Sequence, residues 1–239
     1  MGVGGEESVG LAPSISLVRL SSRVMADLAC GRQRASELLA RLGALYPKAT
    51  CSLHWRTPYE LLVATILSAQ CTDVCVNNVT PGFFARFPDA AATAAVEPEV
   101  LEPYIRPTRF FRNKSRSLVA TSRLLVQHHG GQVPSSMDAL LELPGVARKT
   151  ANLVLAVAFG INAGVTVDTH VTRLSQRLGL SLERDPRRIE ADLMDLVPQA
   201  EWENLSIRLI VHGRRVCTAR RPACTTCLLA DLCPSQLKG

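Results

Sequence analysis

Four cysteines near the C-terminus, Cys217, Cys224, Cys227 and Cys233, fall within seventeen residues as Cys-x6-Cys-x2-Cys-x5-Cys, directly after a helix-forming stretch. The N-terminal stretch lacks the uninterrupted apolar run of a secretory signal, and Glu6 and Glu7 argue against an organelle-targeting segment. In a chain without export signals, thiols at this density read as metal ligands rather than as a disulfide framework. Four thiolates on one loop can converge on a single centre, and soft sulfur suits tetrahedral zinc or a [4Fe-4S] cluster; the spacing leaves both open. The other four, Cys30, Cys51, Cys71 and Cys75, show no clustering beyond the helical spacing of the last two, and are expected as buried small hydrophobes.

Helix signals recur along the chain, whereas period-2 alternation is nowhere sustained and aromatics are only 5%. The expected class is all-α. Ala35, Leu38, Leu39, Leu42 and Leu45 recur at threes and fours as one helical face that Pro47 ends. Thr57, Pro58 and Glu60 form a capping box with proline at the first helical position, opening a helix to about Ala69. Further helices are expected over 73–79, 88–96, 113–129, 135–142, 148–159, 169–178, 186–196 and 201–212, with Gly130, Gly160, Gly179 and Gly213 as C-terminal caps. The apolar run 153–164 is short of the ~20 residues a bilayer needs and reads as a core helix; no membrane association is expected. Residues 1–22 read as a flexible tail. With 239 residues and 47% hydrophobic content, one large domain or two small ones can be filled, and the short linkers require two domains to pack closely.

A formal charge of +6 favours a polyanionic partner. Arg106, Arg109, Arg112, Lys114, Arg116 and Arg123 form one basic patch without an acidic residue, and Arg214, Arg215, Arg220 and Arg221 surround the first clustered cysteine. Two such patches suggest a nucleic-acid footprint, against the plainer reading of solvated surface.

The segment Leu143-Pro144-Gly145-Val146-Ala147-Arg148-Lys149-Thr150-Ala151 joins one expected helix to the next. Pro144 and Gly145 make the turn, and free N–H groups at the incoming helix can hold a phosphate without reading a base; the alternative is an ordinary turn between helices. Lys149 lies in the first helical turn, where the positive end of the dipole, together with burial, favours the neutral nucleophilic amine needed for a Schiff base; the alternative is an exposed phosphate contact. Asp168, in Val165-Thr166-Val167-Asp168-Thr169-His170, stands where a helix begins. It can serve as N-cap and also as a fixed carboxylate that stabilises a cationic sugar.

Taken together, the hairpin, Val-Asp-Thr-His, the cysteine spacing and the earlier Leu67-Ser68-Ala69-Gln70-Cys71-Thr72-Asp73 resemble the endonuclease III branch of the helix-hairpin-helix DNA glycosylase superfamily, from about Thr57 to Cys233. The resemblance implies two all-α domains with DNA in the cleft between them: a six-helix barrel over 51–161, and a cluster domain from 21–50 and 162–239. It assigns the four cysteines to a structural [4Fe-4S] cluster that sets the arginine-bearing loop against DNA. Lys149 is implied as nucleophile and Asp168 as catalytic carboxylate. Gln70 would fill the gap left by the flipped base, Phe110 would act as a second wedge and His170 would lie beside the lesion pocket. Leu143, Gly145, Ala147, Arg220 and Arg221 complete the implied DNA contacts. The implied activity is excision of oxidised pyrimidines and β-elimination at the abasic site. The implied partner is double-stranded DNA bearing damaged pyrimidines or abasic sites, met by a monomer. The setting would be the cytoplasm, at the nucleoid, if the source is bacterial, with organelle or nucleus open.

Three departures from the pattern stand out: Ala147 replaces the hairpin's usual second glycine, Arg109 replaces a glycine before the wedge, and Cys71 and Cys75 follow in the neighbourhood of Gln70. An adenine-mismatch glycosylase would lack Lys149 and carry a glutamate in the helix that here reads Ala64-Thr65-Ile66-Leu67. A pyrimidine-dimer glycosylase would share the lysine, and a non-enzymatic zinc-ribbon module would only grip the backbone.

Overall fold

The computed structural model describes residues 22–236, with side chains from Gly31 onward; the N-terminal tail and the side chain of Cys30 lie outside the described residues. Every regular element among them is helical: α1 (Ser22–Leu45), α2 (Pro58–Ser68), α3 (Asp73–Arg86), α4 (Ala90–Ala94), α5 (Pro98–Ile105), α6 (Phe111–His129), α7 (Met137–Leu141), α8 (Arg148–Phe159), α9 (Thr169–Arg177), α10 (Pro186–Leu196) and α11 (Trp202–Arg215), with short 3-10 turns at Gln199–Glu201, Cys224–Thr226 and Ala230–Leu232. None of the described helices is long and apolar enough to cross a membrane.

Two hydrophobic cores organise these helices. One runs from Leu53 to Leu155 and includes Leu61, Phe83, Phe87, Leu118 and Val154. The other gathers Leu38 and Leu42 of α1 with Val171, Leu193, Leu209 and Leu229 from the C-terminal third, so the first described helix packs against the last described segments. Arg34 and Arg41 of α1 reinforce that return. Arg34 donates to the carbonyls of Leu178 (2.7 Å) and Gly179 (2.5 Å), and Arg41 donates to the carbonyl of Leu228 and pairs with Asp231 at 2.7 Å.

Local chemistry sets the helix ends. Thr57 accepts from the Glu60 N–H as expected, but Glu60 turns back to the N–H of Arg56 (2.8 Å) rather than to the cap residue. Gly130, Gly160 and Gly179 adopt positive φ as caps. Gly213 does not; it lies inside α11, where a Cβ would come within 3.0 Å of Arg173 and His170, so close packing with α9 explains the glycine. The expected helix 73–79 continues past Pro81 to Arg86. An internal proline costs ~3 kcal/mol, whereas burying Phe83, Phe84 and Phe87 returns roughly 1.5–3 kcal/mol each. By the same balance α5, absent from the sequence reading, forms despite Pro103, since Leu101 and Ile105 at i and i+4 are fully buried.

Candidate active site and nucleic-acid interface

The hairpin lies between α7 and α8. Gly145 has φ +81°, and a Cβ there would meet Ser117 at 3.0 Å, so both conformation and space require glycine. Ala147 has φ −94° and ψ 168°, an extended geometry open to any residue, so its departure from glycine costs nothing. Its side chain gives no cap hydrogen bond, which leaves the first N–H groups of α8 available to an anion. Leu143 is buried in the core and cannot reach DNA with its side chain; it supports the turn by accepting from the Val146 N–H at 3.0 Å. Arg148 is also committed, pairing at 2.9 Å with buried Glu190 of α10, which ties the start of α8 to the second core.

Beside the hairpin a cleft of about 270 Å³, open to solvent, is lined by Gln70, Asp73, Lys149, Asp168, Glu203 and Arg214 among others. Lys149 is exposed at this cleft. Asp168 Oδ1 accepts from the N–H groups of both His170 and Val171 at 2.8 Å, so the N-cap reading holds while the same carboxylate lines the cleft. Gln70 is exposed and held at φ +52°, a left-handed conformation uncommon outside glycine and typical of strained functional positions.

His170 feels the charges of Asp168 and Arg214, both of which line the cleft, without lining it itself. Its Nδ1 lies 3.1 Å from Arg173 Nη2 and faces Gly213, and burial pushes its pKa down while Asp168 works the other way. It braces α9 against α11.

Phe110 is 55% exposed at φ +57°, with the Arg109 guanidinium 5.8 Å above its ring, whereas Phe111 packs on the core. The first basic patch is thinner than its sequence suggested. Lys114 is only 5% exposed, donates to the Leu67 carbonyl at 2.7 Å and has its pKa lowered by burial, and Arg123 is spent on Ala94, Val96 and Glu97. In the second patch Arg214 bonds Asp73 at 2.8 Å and Ser52 at 3.2 Å across the cleft, while Arg220 and Arg221 remain exposed. Ser52 and Glu203 were not singled out from the sequence, which carries no local signal for them, and Asp73 figured only as the last residue of the Leu67–Asp73 motif. Cys51, Cys71 and Cys75 are half-buried rather than core residues, and Cys51 lines the cleft.

The four C-terminal thiols line one apolar cavity walled by Leu174, Leu178 and Val216. Four thiols facing one cavity are the donor set of a thiolate-bound centre, either zinc or a [4Fe-4S] cluster. Arg177 of α9 donates to Cys217 Sγ (3.3 Å) and to the carbonyls of Thr218 and Ala219, fixing the loop that carries Arg220 and Arg221.

Residues 63–199 match the HhH-GPD superfamily of base excision DNA repair proteins, and 217–233 match the iron-sulfur binding domain of endonuclease III. The chain is 59% identical to endonuclease III of Synechocystis, covering 90% of this chain and 98% of that protein, and 38% identical to endonuclease III of Escherichia coli K12, covering 84% and 95%. Its fold is similar, at a TM-score of 0.81 and 40% identity over 86% of this chain and 96% of the other, to a trapped endonuclease III-DNA covalent intermediate. A thermostable thymine-DNA glycosylase shares the fold at a TM-score of 0.77 and 22% identity, over 85% of this chain and 97% of the other.

Proposed function

The chain belongs to the endonuclease III family of HhH-GPD base excision DNA repair proteins, and on that premise we propose that Lys149 and Asp168 are its catalytic pair, acting on an oxidised pyrimidine flipped into the cleft. The protein is a DNA-binding glycosylase and abasic-site lyase carrying a [4Fe-4S] cluster. The observation that carries the site assignment is the convergence of Lys149, Asp168 and Gln70 on one cleft beside the hairpin. We assign to the two cores a barrel over 51–161 and a cluster domain from 21–50 and 162–239, with DNA lying between them and the protein acting as a monomer.

The hairpin's free N–H groups hold a backbone phosphate, and Gln70 and Phe110 fill the stack as the lesion leaves it. Neutral Lys149 Nζ bonds to the sugar C1′ while the C1′–N1 bond breaks, the base departing with that electron pair and gaining a proton. Asp168, its carboxylate fixed by two amide donors, stabilises the cationic sugar and accepts a proton from the attached nitrogen, which then forms the iminium as the C1′–O4′ bond breaks and O4′ takes up a proton. Loss of a C2′ proton then expels the 3′ phosphate. The cluster, when bound, supplies a cross-link for the loop of Arg220 and Arg221. Cys217, Cys224, Cys227 and Cys233 hold it.

Borohydride should trap the protein on duplexes containing an oxidised pyrimidine or an abasic site. Base release without trapping would mean that water, not Lys149, is the nucleophile; trapping confined to dimer or mismatch duplexes would change the substrate. Asp168→Asn should keep the cap, and hence a melting temperature near the parent's, while slowing single-turnover base release about 10²- to 10³-fold, because the amide carries no charge. A fully active variant would leave Asp168 as a cap only.

Phe110→Ala, at an exposed loop position, should change thermal stability by no more than about 0.5 kcal/mol. It should slow excision more from a well-paired lesion than from the same lesion opposite a mismatch, where flipping already costs less. Equal losses on both duplexes would place the wedge elsewhere.

A further inference from the structure

One face of α11 forms a wall of the cleft. Glu203, Ser206, Ile207, Ile210, Val211 and Arg214 follow helical spacing and all line it. The wall is apolar in the middle and charged at both ends. Arg214 at the far end is neutralised by Asp73. Across the cleft Lys149 and Asp168 are committed to the sugar in the reading given above, on which the present inference rests. Glu203 is the carboxylate left over. It is half-buried, and among the described residues it receives no hydrogen bond and forms no ion pair; burial alone pushes its pKa up. Its charge is felt by Cys51, which also lines the cleft.

A half-buried acid with no protein partner keeps its acceptor oxygens free for water or for a ligand. An apolar wall that can cover the face of a flat ring, with one polar anchor at its end, is the usual composition of a site that orients a small aromatic group. A flipped base is recognised through hydrogen bonds to its Watson–Crick edge, and a carboxylate there can only accept. We propose that Glu203 is the specificity-determining residue of the cleft, its carboxylate accepting a hydrogen bond from an N–H on the Watson–Crick edge of the flipped pyrimidine. That donor is N3–H in thymine- and uracil-derived lesions and the exocyclic amine in cytosine-derived ones. A base lacking an N–H at that edge is bound without the anchor.

The test uses the cluster-containing full chain, its Glu203→Ala and Glu203→Gln variants, and three duplexes that differ only at the lesion: thymine glycol, N3-methyl thymine glycol and an abasic site. The abasic duplex presents no base. For Glu203→Ala, the ratio of single-turnover release of thymine glycol to cleavage of the abasic site should fall about tenfold to a hundredfold, the effect of losing a charge-assisted hydrogen bond. The corresponding ratio for the N3-methylated lesion should not fall. Glu203→Gln, whose amide oxygen still accepts, should lie between parent and alanine variant. An unchanged ratio, or equal falls for the methylated and unmethylated lesions, would overturn the proposal. So would an equal loss on all three duplexes, which would make Glu203 a residue of the sugar chemistry or of the fold. If the parent chain itself cleaves no abasic site, it is the Lys149 reading that fails, and the two failures are told apart by that control.

Discussion

Lys149→Gln will bind a lesion-bearing duplex about as tightly as the parent chain, yet release no base from it and leave no borohydride-trapped adduct. The side chain stands exposed at the cleft and makes no bond to the protein among the described residues, so its loss should shift stability by about 0.5 kcal/mol at most. Affinity rests on several phosphate contacts at once, and removing one cation reduces the salt dependence by roughly 0.9 log unit per log salt. The chemical step depends on that single amine. Glutamine is similar in length but has no nitrogen lone pair free to attack C1′, so bond cleavage must fall back on water, with a loss on the order of 10³-fold or more. A gel of the borohydride-treated mixture reads the adduct, and a binding titration with the same duplex reads the affinity. An adduct of normal yield would move the nucleophile to another amine. An inactive variant that also fails to bind would make Lys149 a grip on the backbone.

Much of the fold was legible because helix starts and stops are written locally. The boundaries of α8 and α10 coincide with those read from the sequence, since Gly160 ends the first and Asp185 with Pro186 opens the second. The errors fell where tertiary burial overrode a local rule. Proline argues against helix at 81 and 103, and no local signal announces that Phe83, Phe87, Leu101 and Ile105 will all be fully buried. Gly213 read as a cap because capping is the commonest reason for a glycine there; the operative reason, the approach of His170 and Arg173, belongs to a helix far earlier in the chain.

The site divides along the same line. Lys149 and Asp168 were visible because each sits in a short segment whose local geometry, a hairpin or a helix N-cap, already suggests its chemistry. Glu203 was invisible: on an amphipathic helix an acid beside Trp202 reads as solvated surface, and only packing shows that its face is turned to the cleft. The basic patches misled for a related reason. Sequence counts charges without seeing their partners, and Lys114, Arg123 and Arg214 turn out to be spent on Leu67, on Glu97 and on Asp73.

Cys224→Ala should yield a colourless protein whose C-terminal loop no longer holds together. From Cys217 to Cys233 the loop contributes one fully buried side chain, Leu229, to the second core, and its regular structure is two single 3-10 turns. Apolar burial of that size stabilises by roughly 2 kcal/mol, too little to order seventeen residues at ~1 kcal/mol or more each. Arg41 and Arg177 donate to loop carbonyls, but these are partly exposed contacts that depend on the loop already being in place. The remaining stabilisation has to come from the thiolate-bound centre, and three cysteines leave one corner of a four-iron cluster open to solvent and loss. If about 3 kcal/mol of the loop's contribution to global stability goes with it, the melting temperature drops by roughly 10 °C. DNA affinity should fall as well, because Arg220 and Arg221 lose their fixed position. Cys75→Ala is the matching control and should keep both colour and stability. A Cys224 variant that keeps the visible absorption would remove that residue from the ligand set. One that is colourless yet as stable and active as the parent would show that arginine and backbone contacts alone suffice to hold the loop.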